Sequence, residues 1–161
     1  KIGALIAIQR EGDLSLLADE GIRIEARLSQ ELLFGLFNPA NANPTHDGAV
    51  IIQGGTITSA GCFLPLTANP RVSKKLGTRH RAAIGLSEEA DAVICVVSEE
   101  TGIISVVFQE HISRNLDANS LRERLQRLLS FTESDDQPSS PTRVFLRYLP
   151  IPARFQKESS K

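Results

Sequence analysis

At 161 residues, with 41% hydrophobic and 23% charged content, the chain has the size and composition of one soluble globular domain with a proper core. A formal net charge of −1 gives no global basic field to draw it onto DNA, RNA or anionic lipid, so no nucleic-acid partner is expected and any anion site must be local. No apolar run approaches the ~18 residues of a membrane span, no signal peptide is visible, and the two cysteines, Cys62 and Cys95, read as buried free thiols in a reducing, cytoplasmic compartment.

The chain contains no Met and opens with Lys1 directly before an apolar run, so it is expected to be an excised domain. Ala4 to Ile8 reads as a buried strand. Ser15 to Glu20 reads as a helical turn ended by Gly21, and Ile22 to Ala26 alternates like a short strand. Leu28, Leu32, Leu33, Leu36 and Phe37 recur at helical spacing, which predicts an amphipathic helix over 29–38 with Ser29 as N-cap and Pro39 as stop. The Asn- and Pro-rich stretch from Asn38 to Thr45 is a loop that delivers His46-Asp47-Gly48 to a strand at Ala49 to Gln53. Gly54-Gly55 marks a hairpin turn, with the return strand running from Thr56 to Leu64.

Pro65 to Gly77 reads as an irregular basic loop with Arg71, Lys74 and Lys75. Thr78 is the expected N-cap of a helix reaching Glu89. Ala92 to Val97 is a continuous apolar strand, Ser98 to Gly102 a turn, and Ile103 to Phe108 the returning strand. A last amphipathic helix is expected over 120–129, with Ser120 and Glu123 at capping-box spacing. From Phe131 to Thr142 the composition is that of a flexible linker. Val144 to Leu149 fits an edge strand, and Gln156 to Lys161 a disordered tail. Interleaved helices and strands with two hairpins imply an α/β fold: a mixed parallel/antiparallel central sheet flanked by helices.

Three polar segments carry the chemistry. Thr78-Arg79-His80-Arg81 sets three basic side chains at the positive end of a helix dipole, which is unfavourable without an anion among them. Arginine forks there suit phosphate oxygens; the alternative is a solvated helix start paired with Glu88 or Glu89. In Asp47-Gly48-Ala49 a carboxylate precedes two residues without bulk, so a substrate can approach the backbone, and Asp47 can bind a metal or accept a proton. The alternative is a plain Asp-Gly turn. Ser98-Glu99-Glu100 places two carboxylates after a buried strand, either to complete a metal site or as an ordinary acidic turn. Phe63 and Leu64 form an apolar wall for adenine or belong to the core. Walker A, Rossmann and zinc patterns are absent, and with three histidines and no Cys or Ser nucleophile motif, an enzyme of this kind would take its nucleophile from the substrate.

Taken together, Lys1 to Ile6, His46 to Ile52, Leu76 to Ala83 and Val97 to Gly102 resemble the bacterial diadenylate cyclase (DAC) domain, most closely its membrane-anchored branch. The resemblance runs to about Leu129, which sets a catalytic domain at 1–130 and a C-terminal extension at 131–161. It implies condensation of two ATP into cyclic di-AMP and two pyrophosphates across a face-to-face homodimer. It further implies that Asp47, Gly48 and Ala49 form the catalytic segment and that Thr78, Arg79, His80, Arg81 and Ser98 hold phosphate. Phe63 and Leu64 would face adenine, and Asp47, Glu100 and His46 would hold a divalent metal (Mn²⁺, Mg²⁺ or Co²⁺). Phe63 stands where family members often carry Tyr. The branch implies a protein anchored at the cytoplasmic face of the bacterial cell membrane, working with a regulator protein and phosphoglucosamine mutase. The alternative is a regulatory module that binds ATP or cyclic di-AMP without turnover.

Overall fold

Strands that read as unbroken apolar runs need cover on both faces, and the sheet has it. The computed structural model describes residues 1–73 and 76–129. Its elements, in chain order, are β1 (Ala4–Gln9), α1 (Ser15–Asp19), β2 (Ile22–Arg27), α2 (Gln30–Phe37), a 3₁₀ turn (Ala40–Ala42), β3 (Ala49–Gln53), β4 (Thr56–Cys62), α3 (Thr78–Glu89), β5 (Ala92–Val97), β6 (Ile104–Phe108), β7 (His111–Arg114) and α4 (Ala118–Leu129). The seven strands form one sheet in the order β2-β4-β3-β1-β5-β6-β7. β1 and β3 run parallel and the other neighbours antiparallel, giving the mixed sheet expected from the sequence.

Successive strand residues point to opposite faces. Leu5, Ala7, Ile51, Ile94 and Val96 pack with Leu14, which precedes α1, with Ala18 of α1 and with Ala82, Ala83, Ile84 and Leu86 of α3. Ile8, Val50, Ile52, Val93 and Cys95 pack on the other face with Leu36 and Phe37 of α2 and with Leu121, Leu125 and Leu129 of α4. The helices thus cover the sheet on both sides.

Most local expectations hold. Ser29 caps α2 by accepting the Leu32 N–H at 3.2 Å, and Gly54 and Gly55 turn the β3–β4 hairpin at φ of 55° and 79°, as a two-residue turn of this hand requires. Three details differ. Gly77, not Thr78, is the N-cap of α3, and no side chain caps that helix. α4 begins at Ala118, and its cap is Asp117, which accepts the Ser120 N–H at 2.8 Å. β7 is an extra strand, reached through a turn at Gln109 and Glu110 with φ of 47° and 63°. The linker, edge strand and tail expected after Phe131, together with Lys74 and Lys75, lie outside the described residues.

Sheet register collects the polar segments at one edge. β1 and β3 are parallel, with Ile6 beside Val50, so both start there. Their antiparallel neighbours end there, with Ala4 beside Val97 of β5 and Ala49 beside Cys62 of β4.

Candidate functional site

Four segments meet at this edge: the start of β1, the loop before β3, the end of β4 and the turn after β5. Arg79, in the first turn of α3, ties three of them together. Its Nη1 donates to Glu99 Oε2 at 2.7 Å, and its Nη2 donates to the His46 carbonyl at 3.3 Å. The guanidinium lies so close to Gly3 that a Cβ there would be 2.7 Å from Nη1. Among the described residues Arg79 Nε is buried without a hydrogen-bond partner, which leaves donor capacity on a cation at a helix start.

The three basic residues do not converge. Consecutive helix residues point about 100° apart, so Arg79, His80 and Arg81 cannot face one anion together. His80 turns inward: it is only 4% exposed, and its Nε2 is 3.3 Å from Ser105 Oγ of β6. Burial, reinforced by the charge of Arg114, lowers its pKa below the ordinary 6.5, so the ring is neutral at pH 7. Arg81 turns sideways, and its Nη2 donates to the Thr67 carbonyl at 3.2 Å. Thr78, the first residue of α3, is exposed. The pairing of the basic residues with Glu88 or Glu89 does not form: Glu99 takes Arg79, and Glu88 accepts the Thr67 hydroxyl.

Asp47-Gly48-Ala49 divides between surface and core. Asp47 has a side chain 75% exposed, at 3.2 Å from His46 Nε2. Ala49 is fully buried and supports the site from behind. Gly48 is small for an internal reason, because a Cβ would lie 2.3 Å from the carbonyl carbon and 2.5 Å from the Cα of Gly61.

The histidine beside Asp47 bears on metal binding. His46 Nδ1 is hydrogen-bonded to the Asn43 carbonyl. A carbonyl only accepts, so Nδ1 carries the proton and Nε2 of the neutral ring presents a lone pair. That lone pair faces Asp47 Oδ1 at 3.2 Å. Two acceptors so placed require a proton or a cation between them. Among the described residues no group of three or more His, Cys, Asp or Glu is gathered tightly enough to hold a metal, so Glu100 does not join this pair in a ready-made cage. One imidazole nitrogen and one carboxylate are two ligand atoms, fewer than a complete metal site needs.

In the turn after β5, Ser98 Oγ accepts the Thr101 N–H at 3.2 Å and keeps its own proton free to donate. Glu100 is exposed at the tip. Phe63, just past β4, is 75% exposed, while Leu64 packs partly against the core beneath α3.

The family model for the DAC domain, described as DisA bacterial checkpoint controller nucleotide-binding, matches residues 1–112. The chain belongs to the DAC family. It is 44% identical over 126 residues to the cyclic di-AMP synthase CdaA of Bacillus subtilis, covering 78% of this chain and 45% of that protein. It is 45% identical over 125 residues to a diadenylate cyclase of Listeria monocytogenes, covering 78% of this chain and 45% of that one. Among solved structures it resembles a double mutant of DacA from Staphylococcus aureus, with a TM-score of 0.76 at 46% identity, covering 80% of this chain and 84% of that one. A hypothetical membrane spanning protein from Bacillus cereus gives a TM-score of 0.67 at 46% identity, covering 71% of this chain and 55% of that one. The DAC chain thus spans about half the length of the curated relatives it matches.

In this DAC domain the sequence did not single out Gly3 or Thr67. Gly3 is one glycine among 11, and Thr67 lies in a loop whose partners, Arg81 and Glu88, come later in the chain. Its only signal is a hydroxyl residue between apolar neighbours.

Proposed function

We propose that this domain is a diadenylate cyclase that joins two ATP molecules into cyclic di-AMP and releases two pyrophosphates, each of two facing protomers holding one nucleotide. The observation that carries the reading is the composition of the sheet edge. A carboxylate, a flat aromatic face and a helix-borne arginine lie together there, and the first two point outward, with Asp47 at 75% side-chain exposure and Phe63 at 75%. A site this open suits a reaction whose second half is supplied by another copy of the chain. The names of the DAC relatives support the same chemistry.

Each residue then has a task. Phe63 offers a ring face to adenine. The N–H groups at the start of α3, the Thr78 hydroxyl and Arg79 bind the phosphates, and Ser98 donates a further hydrogen bond. Asp47 accepts the proton of the 3′-hydroxyl. The freed oxygen bonds to the α-phosphorus of the opposite ATP, and the bond from that phosphorus to the pyrophosphate oxygen breaks. Done twice, this closes the ring. The protein supplies positioning and charge, not a nucleophile. His46 and Asp47 are the residues that would hold a divalent cation, and Glu100, exposed on the turn after β5, is not gathered with them. When bound, that ion supplies positive charge against the phosphate oxygens and the departing pyrophosphate.

Among the described residues no helix is long and apolar enough to cross a membrane. Likeness to a hypothetical membrane spanning protein and to CdaA supports a full-length protein that carries this domain at the cytoplasmic membrane face.

The test compares wild type and Asp47→Asn with ATP and Mn²⁺, separating products by chromatography and mass. Cyclic di-AMP from wild type and a drop of at least ~100-fold in the variant is the expected result. Wild-type turnover in Asp47→Asn would remove Asp47 from the mechanism. Tight ATP binding without product would favour the regulatory module.

A further inference from the structure

The wall that carries Phe63 has little burial of its own to hold it: Phe63 is 75% and Leu66 54% exposed. Cys62 and Leu64 anchor its β4 end, and its far end is fastened through the next residue, Thr67, which is 2% exposed. The Thr67 N–H donates to the Arg81 carbonyl at 3.1 Å, and Arg81 Nη2 donates back to the Thr67 carbonyl at 3.2 Å. The Thr67 hydroxyl donates to Glu88, and its oxygen accepts the Asn69 N–H at 3.1 Å. One turn further along α3, Gly85 leaves room for the segment's backbone. A Cβ there would stand 2.2 Å from the Pro65 carbonyl oxygen and 2.7 Å from the Thr67 nitrogen. Both are backbone atoms that cannot swing aside.

We infer that Arg81, Thr67 and Gly85 are positioning residues that clamp the base wall onto α3, and that Arg81 acts on the adenine side of the site rather than on phosphate. The inference rests on the reading that this edge binds ATP. α3 presents Thr78 and Arg79 at its start and holds the Phe63–Leu66 segment along its flank. One rigid element therefore sets the distance between the base and phosphate subsites. Loosening the clamp frees the base wall while the phosphate end stays in place. Affinity for the base then falls while affinity for the phosphates is kept.

The experiment measures binding of ATP, GTP and inorganic tripolyphosphate by calorimetry on the whole chain, for wild type, Arg81→Gln, Thr67→Val, Thr67→Ser and Gly85→Ala. Tripolyphosphate reports the phosphate subsite alone. Arg81→Gln and Thr67→Val are expected to weaken ATP and GTP about tenfold each, with tripolyphosphate within about twofold of wild type. Thr67→Ser, which keeps the hydroxyl, is expected to match wild type. Gly85→Ala is expected to follow Thr67→Val. Should it fail to fold, the Thr67 and Arg81 variants decide. Parallel loss of ATP and tripolyphosphate in Arg81→Gln would make Arg81 a phosphate ligand and overturn the inference. Unchanged ATP and GTP binding in Thr67→Val would overturn it equally. Wild type that binds ATP but forms no cyclic di-AMP would sink the cyclase reading and leave the clamp standing. Wild type that binds no ATP would sink both.

Discussion

Gly48→Ala separates two explanations of the same glycine. If Gly48 is small so that substrate can approach, the variant folds normally and loses ATP binding. In the structure its space is already taken by backbone: a Cβ would meet the Gly61 carbonyl carbon at 2.3 Å, the Gly61 Cα at 2.5 Å and the Cys62 nitrogen at 2.7 Å. No side chain can rotate away, so β3 and β4 must part where Ala49 sits beside Cys62. Overpacking of this kind costs ~3 kcal/mol, the upper end of the usual range. At about 3–4 °C per kcal/mol for a domain of this size, the melting temperature falls by roughly 10 °C. Gly35→Ala is the matched control, because its Cβ meets nothing within 4 Å. Inside α2 that change stabilises by ~0.5–1 kcal/mol and raises the melting temperature by about 2–3 °C. Both values come from calorimetric or fluorescence melts of the apo protein. A Gly48→Ala melt within about 2 °C of wild type would refute the packing argument and restore the substrate-approach explanation.

Other perturbations follow the same logic. Glu99→Gln is expected to leave the melting temperature within about 2 °C, because the Glu99 side chain is 60% exposed and a pair with one partner in solvent contributes under ~1 kcal/mol. Arg79→Lys, which keeps the charge but loses the fork, is expected to weaken ATP binding about tenfold by calorimetry. For His80 the folded pKa lies below the ordinary 6.5, so the unfolded chain takes up the proton first as pH falls. Stability is therefore expected to drop as pH goes below about 6.5, more in wild type than in His80→Asn, as read from urea midpoints; equal slopes would contradict the buried neutral ring. Burial holds the Cys62 thiol at about 11, with Glu20 adding to the effect, and the Cys95 thiol at about 12. Neither should react with a thiol reagent at pH 8 until urea unfolds the chain, and labelling of the native protein within seconds would show the burial to be wrong.

Much of this was legible because periodicity and punctuation are local signals. Alternation at Ile22 to Ala26, helical spacing from Leu28 to Phe37 and the Gly54-Gly55 turn each specify an element within a few residues. β7 escaped because its turn uses Gln109 and Glu110 at positive φ, positions where glycine or asparagine would have announced it. The order of the sheet escaped as well, since pairing β1 with both β3 and β5 is a long-range choice.

For the site, the sequence indicated which segments matter but not how their members divide. Asp47 and Phe63 face out, whereas Ala49 and His80 face in. Helix geometry alone already separates Arg79 from Arg81, yet their partners, Glu99 and Thr67, are 20 and 14 residues away and become neighbours only in the fold.

Stoichiometry tests the cyclase reaction most directly: incubate the domain with ATP and Mn²⁺ and quantify ATP consumed, pyrophosphate released and cyclic di-AMP formed in one time course. Two ATP lost and two pyrophosphates gained for every cyclic di-AMP is the expected result. Intact ATP in the presence of demonstrated binding, or pyrophosphate without the cyclic product, would contradict it.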